Sequence, residues 1–187
     1  NITIYLGTTW PPTTVCNATT SPACYNETAI NCNACTDAQM YWFVNFTCGN
    51  IQQPVWYYRF GMGDYYEDVI KSVTLSADDV NIAYVAGNGT SATLTSATTF
   101  NVTVFDSTKN KYEISNPLYV RFNVTKQSLL TGWKDVGTAV ANASGFVNFT
   151  FLPTEDFTTG TRVWNARVDT ALSTCYNYNR SDNYTVG

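Results

Sequence analysis

Val147-Asn148-Phe149-Thr150-Phe151 alternates apolar and polar side chains without a break, and its reading decides the fold. In an extended chain successive side chains point to opposite faces, so Val147, Phe149 and Phe151 turn inward while Asn148 and Thr150 turn outward. The same alternation recurs in Asn45-Phe46-Thr47, Asn101-Val102-Thr103 and Asn123-Val124-Thr125, and helical periodicity is nearly absent. Working outward from it, strands are predicted at Ile2 to Leu6, Tyr41 to Cys48, Val55 to Phe60, Val69 to Leu75, Val80 to Val85, Ala92 to Leu94 continuing to Phe100 to Phe105, Leu118 to Val124, Gly145 to Leu152 and Arg162 to Leu172. Thr36 to Met40 is the one candidate helical turn. The expected class is all-β, a β-sandwich, with a candidate division into two sub-sandwiches near residue 110.

Composition narrows the functions available. The 187 residues are 44% hydrophobic but only 13% charged, against roughly 25% in an ordinary globular domain, with a net charge of −4. Polarity comes instead from 19 Asn, 29 Thr and 11 Ser, and histidine is absent. Without histidine, Ser/His/Asp, Cys/His and His-metal chemistries are excluded. The acidic balance offers no basic footprint for nucleic acid. No run of about 18 apolar residues is present, so no helix is expected to span a membrane. Asn1-Ile2-Thr3-Ile4 lacks the basic and long apolar regions of a signal peptide, which leaves a cytosolic or a mature secreted chain.

Cysteines and glycosylation sequons favour the secreted reading. Cys16, Cys24, Cys32, Cys35, Cys48 and Cys175 are even in number and read as three disulfides. A zinc knuckle built on Cys32-Asn-Ala-Cys35 lacks a second close pair of ligands. Sequence does not select a pairing among the six. For Cys175 the expected partner is Cys48, because Tyr41 to Cys48 and Thr170 to Tyr176 read as strands able to pair antiparallel. Asn-x-Ser/Thr sequons stand at Asn1, Asn17, Asn26, Asn45, Asn88, Asn101, Asn123, Asn142, Asn148, Asn179 and Asn183, where chance would give about four. Strand alternation explains those at Asn45, Asn101, Asn123 and Asn148. Asn17, Asn26, Asn88, Asn142 and Asn179 sit among turn residues, where an attached sugar is accessible. Dense N-glycosylation follows, and the glycans supply the hydration that charges normally provide.

Gly132-Trp133-Lys134-Asp135-Val136-Gly137-Thr138-Ala139-Val140-Ala141-Asn142-Ala143-Ser144-Gly145-Phe146, running into the opening stretch, resembles the strand, turn and strand unit of immunoglobulin-like repeats in prokaryotic surface proteins. Its physical content is a tight turn, Asn142 to Gly145, expected to join two antiparallel strands. At the other end, Asn1-Ile2-Thr3-Ile4-Tyr5-Leu6 places Ile2, Ile4 and Leu6 on one face and is followed by Pro11-Pro12. Residues 1–12 therefore read either as an edge strand of the chain's own sandwich or as a donor strand on a proline tether, with residues 13–187 as the sandwich.

The whole profile resembles the glycosylated thread filament subunit of thermoacidophilic archaea, a class similar in fold, not in sequence, to chaperone-usher pilins. The resemblance implies an extracellular cell-surface filament supporting adhesion or biofilm, whose identical subunits link head to tail by donor-strand complementation. It implies no enzyme, no metal and no cofactor beyond covalent N-glycans. Two rivals stand beside it: a monomeric carbohydrate-binding or adhesin module with a platform of Tyr65, Tyr66, Tyr176 and Tyr178, and a viral coat or S-layer glycoprotein. The carboxylates of Asp64, Glu67, Asp68, Asp78 and Asp79 lack calcium-loop spacing and read as solvated turn residues. Gly61-x-Gly63 and Gly87-x-Gly89 read as turns, not phosphate loops. Lysines 71, 109, 111, 126 and 134 show no spacing that singles out an isopeptide pair.

Overall fold

A computed structural model describes all residues except 1, 27–40, 63, 113, 115 and 128–130. The candidate turn Thr36 to Met40, Cys32, Cys35 and Asn1 lie outside the described residues. The chain divides into two compact units, Asn1–Ser76 and Ala77–Gly187. The expected division near residue 110 is thus corrected to 76/77. The segment around 110 is the Asp106 to Lys111 turn, closed by Asp106 N–H to Lys111 C=O at 2.9 Å and its reciprocal at 3.1 Å. Ile114 and Leu118 then return the chain to the core of the same unit.

In the first unit, alternation builds a five-stranded antiparallel sheet from β1 (Thr3–Gly7), β2 (Thr14–Val15), β5 (Val55–Met62), β6 (Tyr65–Tyr66) and β7 (Lys71–Thr74). β1 lies between β2 and β5, while β6 and β7 also pair with β5. A separate hairpin joins β3 (Ala23–Asn26) to β4 (Trp42–Asn45). Ile4, Leu6, Cys16, Cys24 and Trp56 form the buried cluster, with Phe46, Tyr58 and Phe60 packed against it. Residues 48–52 make a short 3-10 helix whose Asn50 carbonyl accepts the Trp56 Nε1–H at 3.2 Å.

The second unit is a two-sheet sandwich. One sheet orders β12 (Phe146–Phe151), β9 (Thr98–Asp106) and β8 (Val80–Ala86); the other orders β11 (Trp133–Val140), β10 (Tyr119–Thr125), β13 (Arg162–Val168) and β14 (Tyr184–Val186). Rings from opposite sheets meet in the core. Phe100 stacks on Trp164 at 4.3 Å and Phe122 on Phe149 at 4.9 Å. In β12, Val147 and Phe151 are buried, Phe149 is half-buried, and Asn148 and Thr150 are exposed, as alternation requires.

Two expectations are corrected here. The Asn142 to Gly145 turn forms, with Gly145 N–H to Asn142 C=O at 2.9 Å, but it carries the chain from one sheet to the other and does not close a hairpin, because β11 pairs with β10 and β12 with β9. Turn chemistry is local, whereas the pairing partner is chosen by the core. Thr170 to Tyr176 is a succession of turns, not a strand. Asp169 causes this by accepting hydrogen bonds from the N–H groups of Leu172 and Ser173 at its own carbonyl.

Candidate functional site

The sequence points to β1, and β1 is seated in the sheet of its own unit. It pairs antiparallel with β5 in the register Ile4 to Phe60, Tyr5 to Arg59 and Leu6 to Tyr58, and with β2 through Tyr5 to Val15 and Leu6 to Thr14. Residues 3–7 therefore occupy the edge-strand alternative within this chain, and the same alternation that fits a neighbour's groove fits its own. Ile4 and Leu6 are 3% and 4% exposed. Ile2, grouped with them by alternation, precedes the strand and is 38% exposed. It lines a cleft of about 400 Å3 with Ile4, Val15, Cys24 and Trp42.

The groove holding β1 is built from β5 and a disulfide. Trp56, Tyr58 and Phe60 alternate inward from β5, and Cys16–Cys24 ties the end of β2 to β3. The Cys16 N–H donates to the Ile4 carbonyl at 3.0 Å, so the disulfide and the strand share one backbone contact. On the outer face the Arg59 guanidinium lies 4.3 Å from the Tyr66 ring centroid and 5.2 Å from that of Tyr5. Hydrogen bonding to Tyr66, then burial, raises the Tyr5 phenol pKa above its ordinary 10.0. Gly61 makes this clasp fit, since a Cβ there would stand 2.9 Å from Tyr5 Cε2. Arg59 was not foreseen, and Tyr66 was named only for the aromatic platform, not for a contact with Tyr5. They sit on the solvent alternation of their strands, which carries no signal of which outward residues meet.

Cys48 and Cys175 are also oxidised, so two disulfides are formed and no cysteine is free among the described residues. Such a chain folds in an oxidising, non-cytosolic compartment. Among the described residues no helix is long and apolar enough to cross a membrane.

The sequons separate by geometry. Asn17, Asn45, Asn88, Asn142, Asn148 and Asn183 are exposed, and Asn101 is half-buried on β9. Asn26 ends β3. At Asn17 the sequon threonine's Thr19 Oγ1–H donates to Asn17 Oδ1 at 2.7 Å. Two expectations are corrected. Asn123 keeps its outward place on β10 but is only 9% exposed, because its Nδ2 donates to Asn165 Oδ1 and Trp133, Asn165 and Tyr178 line the cleft in which it sits. Asn179 is half-buried, its Nδ2 donating to the Val80 carbonyl at 2.6 Å and to Asn81 Oδ1 at 3.2 Å, and Ser181 of the same sequon is buried.

Of the four tyrosines of the candidate aromatic platform, Tyr65, Tyr66 and Tyr178 are exposed, whereas Tyr176 is 2% exposed and offers no open ring face. Comparison with models of known protein families gives no match, and no curated protein matches the chain in sequence.

Proposed function

We propose that the chain is a structural subunit of an extracellular, N-glycosylated surface filament, joined head to tail when β1 of one copy takes the β1 seat of the next. The observation that carries the reading is that Ile4 and Leu6, two members of the first unit's five-residue buried cluster, come from a short strand that leads into the rest of the unit through residues 8–13, with Pro11 and Pro12 in the connection. Each such side chain contributes roughly 1.5–3 kcal/mol of burial, and an emptied seat would also leave the edge amides of β5 unpaired. Exchange replaces contacts by identical ones in a neighbour. Because the patch and its receptor are different surfaces, the contact is heterologous and propagates without closing.

The seat of β1 within its own unit also favours a second reading, a monomeric adhesin or carbohydrate-binding module. Deleting residues 1–7 separates the two. In the filament reading the truncated chain loses polymerisation, and a peptide of residues 1–7 added in trans restores its melting temperature. If native material imaged by electron microscopy is monomeric, or forms a closed shell or lattice, the filament reading fails.

A further inference from the structure

The outer face of the β11-β10-β13-β14 sheet carries a cleft of about 360 Å3 that no part of the filament reading uses. Trp133 and Tyr178 bring aromatic rings to it, Arg167 and Arg180 cations, Asp135 a carboxylate, and Asn123 and Asn165 amides. Strand pairing explains the gathering. Arg121 of β10 is the register partner of Arg167 of β13, and Arg167 is in turn bridged antiparallel to Arg180. Three arginines thus lie in one row across the sheet, where like charges directly opposite repel.

Only one of the three is compensated. Arg121 Nε and Nη2 donate to Asp169 Oδ2 at 3.0 and 2.5 Å, and its Nη1 donates to Asp135. Neither Arg167 nor Arg180 has an acidic partner among the described residues. The net charge of the chain is −4, so two adjacent uncompensated cations are not explained by a general excess of base. Beneath them the floor is fixed by an amide ladder: Asn123 Nδ2 donates to Asn165 Oδ1 at 3.3 Å and Asn165 Nδ2 to Asn183 Oδ1 at 3.2 Å. Asn165, the middle of the ladder, is 3% exposed and so shielded from water. Trp133 and Tyr178 remain 38% and 59% exposed, leaving their ring faces open.

We propose that this cleft binds an acidic sugar, with its carboxylate or sulfate held by Arg167 and Arg180. Guanidinium forks match planar or tetrahedral oxyanions and relieve the repulsion between the two arginines. The C–H face of a pyranose ring stacks on Trp133 or Tyr178, and a hydroxyl donates to Asp135. Neither cations alone nor aromatics alone would specify this class; a bare anion has no use for the rings, and a neutral sugar has none for the arginine pair. The site is independent of whether β1 is exchanged.

The test is calorimetric titration of the intact chain with a glucuronic acid oligosaccharide, a sulfated glucose oligosaccharide and a neutral glucose oligosaccharide of equal length. At least one acidic oligosaccharide should bind saturably, at least about tenfold tighter than the neutral one, and more weakly as salt rises. Which one binds identifies the acidic group. Arg167→Gln and Arg180→Gln should each weaken binding by at least about tenfold, as should Trp133→Ala, while Tyr65→Ala in the first unit should not. Arg180→Gln should melt no lower than the parent without ligand, because it removes a facing like charge; Arg167→Lys, which keeps charge but not the fork, should bind between parent and Gln variant. Equal affinity for neutral and acidic sugars, equal affinity of inorganic sulfate and the sulfated oligosaccharide, absence of binding, or Gln variants that bind like the parent would each overturn the proposal.

Discussion

Ile4→Ala is the substitution that weighs most on the first unit. Ile4 is 3% exposed, pairs with Phe60, and gives its carbonyl to the Cys16 N–H at 3.0 Å. Truncating a buried isoleucine costs about 2–5 kcal/mol through lost transfer energy and the cavity left behind. The cluster is small and its neighbours Tyr58, Phe60 and Val73 are only partly buried, so the site can partly collapse and the cost should fall near about 3 kcal/mol. A unit spanning Asn1–Ser76 has about 4–11 kcal/mol in total at ordinary stability per residue, so the loss is a large fraction of it. With a urea slope near about 1 kcal/mol per M, the midpoint of the first unit's transition should drop by roughly 2–3 M. Urea unfolding followed by tryptophan fluorescence reads it, with Val15→Ala, at a position 45% exposed, as the control within about 0.5 kcal/mol. Equal midpoints for the two variants would show that Ile4 does not belong to the core and would remove the physical basis for a transferable strand.

In the second unit, hydrogen bonds from Arg121 hold the Asp169 carboxyl below its ordinary 3.8 against the opposing effect of burial, so its contribution is full above that value and is lost as pH falls through the lower folded pKa. Asp169→Asn should therefore flatten the acid limb of the unfolding profile below about pH 4, as read by thermal melts across pH. Gly137→Ala should destabilise by about 1–3 kcal/mol or more in urea, because Gly137 has φ of 144° and an added Cβ would stand 2.6 Å from Phe149 Cε2. Peptide mapping of native material should find sugar on Asn17, Asn88 and Asn142 and none on Asn123 or Asn179, whose amide nitrogens are engaged within the fold.

The readable parts were those where one residue's environment is fixed by its immediate neighbours in sequence. Val147, Phe149 and Phe151 declare an inward face because pleating is local, and Asn142 to Gly145 declare a turn because their own backbone groups close it. What the turn connects was not legible, since β12 finds its partner in β9, more than forty residues earlier. The burial of Asn123 was hidden for the same reason: Trp133, Asn165 and Tyr178, which surround it, come from other parts of the chain. β2, β3, β6 and β14 are each four residues or fewer and too short for a period to show. Arg167 and Arg180 are thirteen positions apart and meet only through a bridge that no local pattern encodes.

Cross-linking across the β1 to β5 pair tests strand exchange most directly. Tyr5 and Arg59 are register partners on the outer face, so Tyr5→Cys/Arg59→Cys places two thiols across the seam without entering the buried cluster. In assembled native-like material, strand exchange joins Cys at position 5 of one copy to Cys at position 59 of the next, and a non-reducing gel should show a ladder of covalent multimers absent from either single variant. A band of single-chain mass carrying the cross-link internally, in material that has assembled, would contradict it.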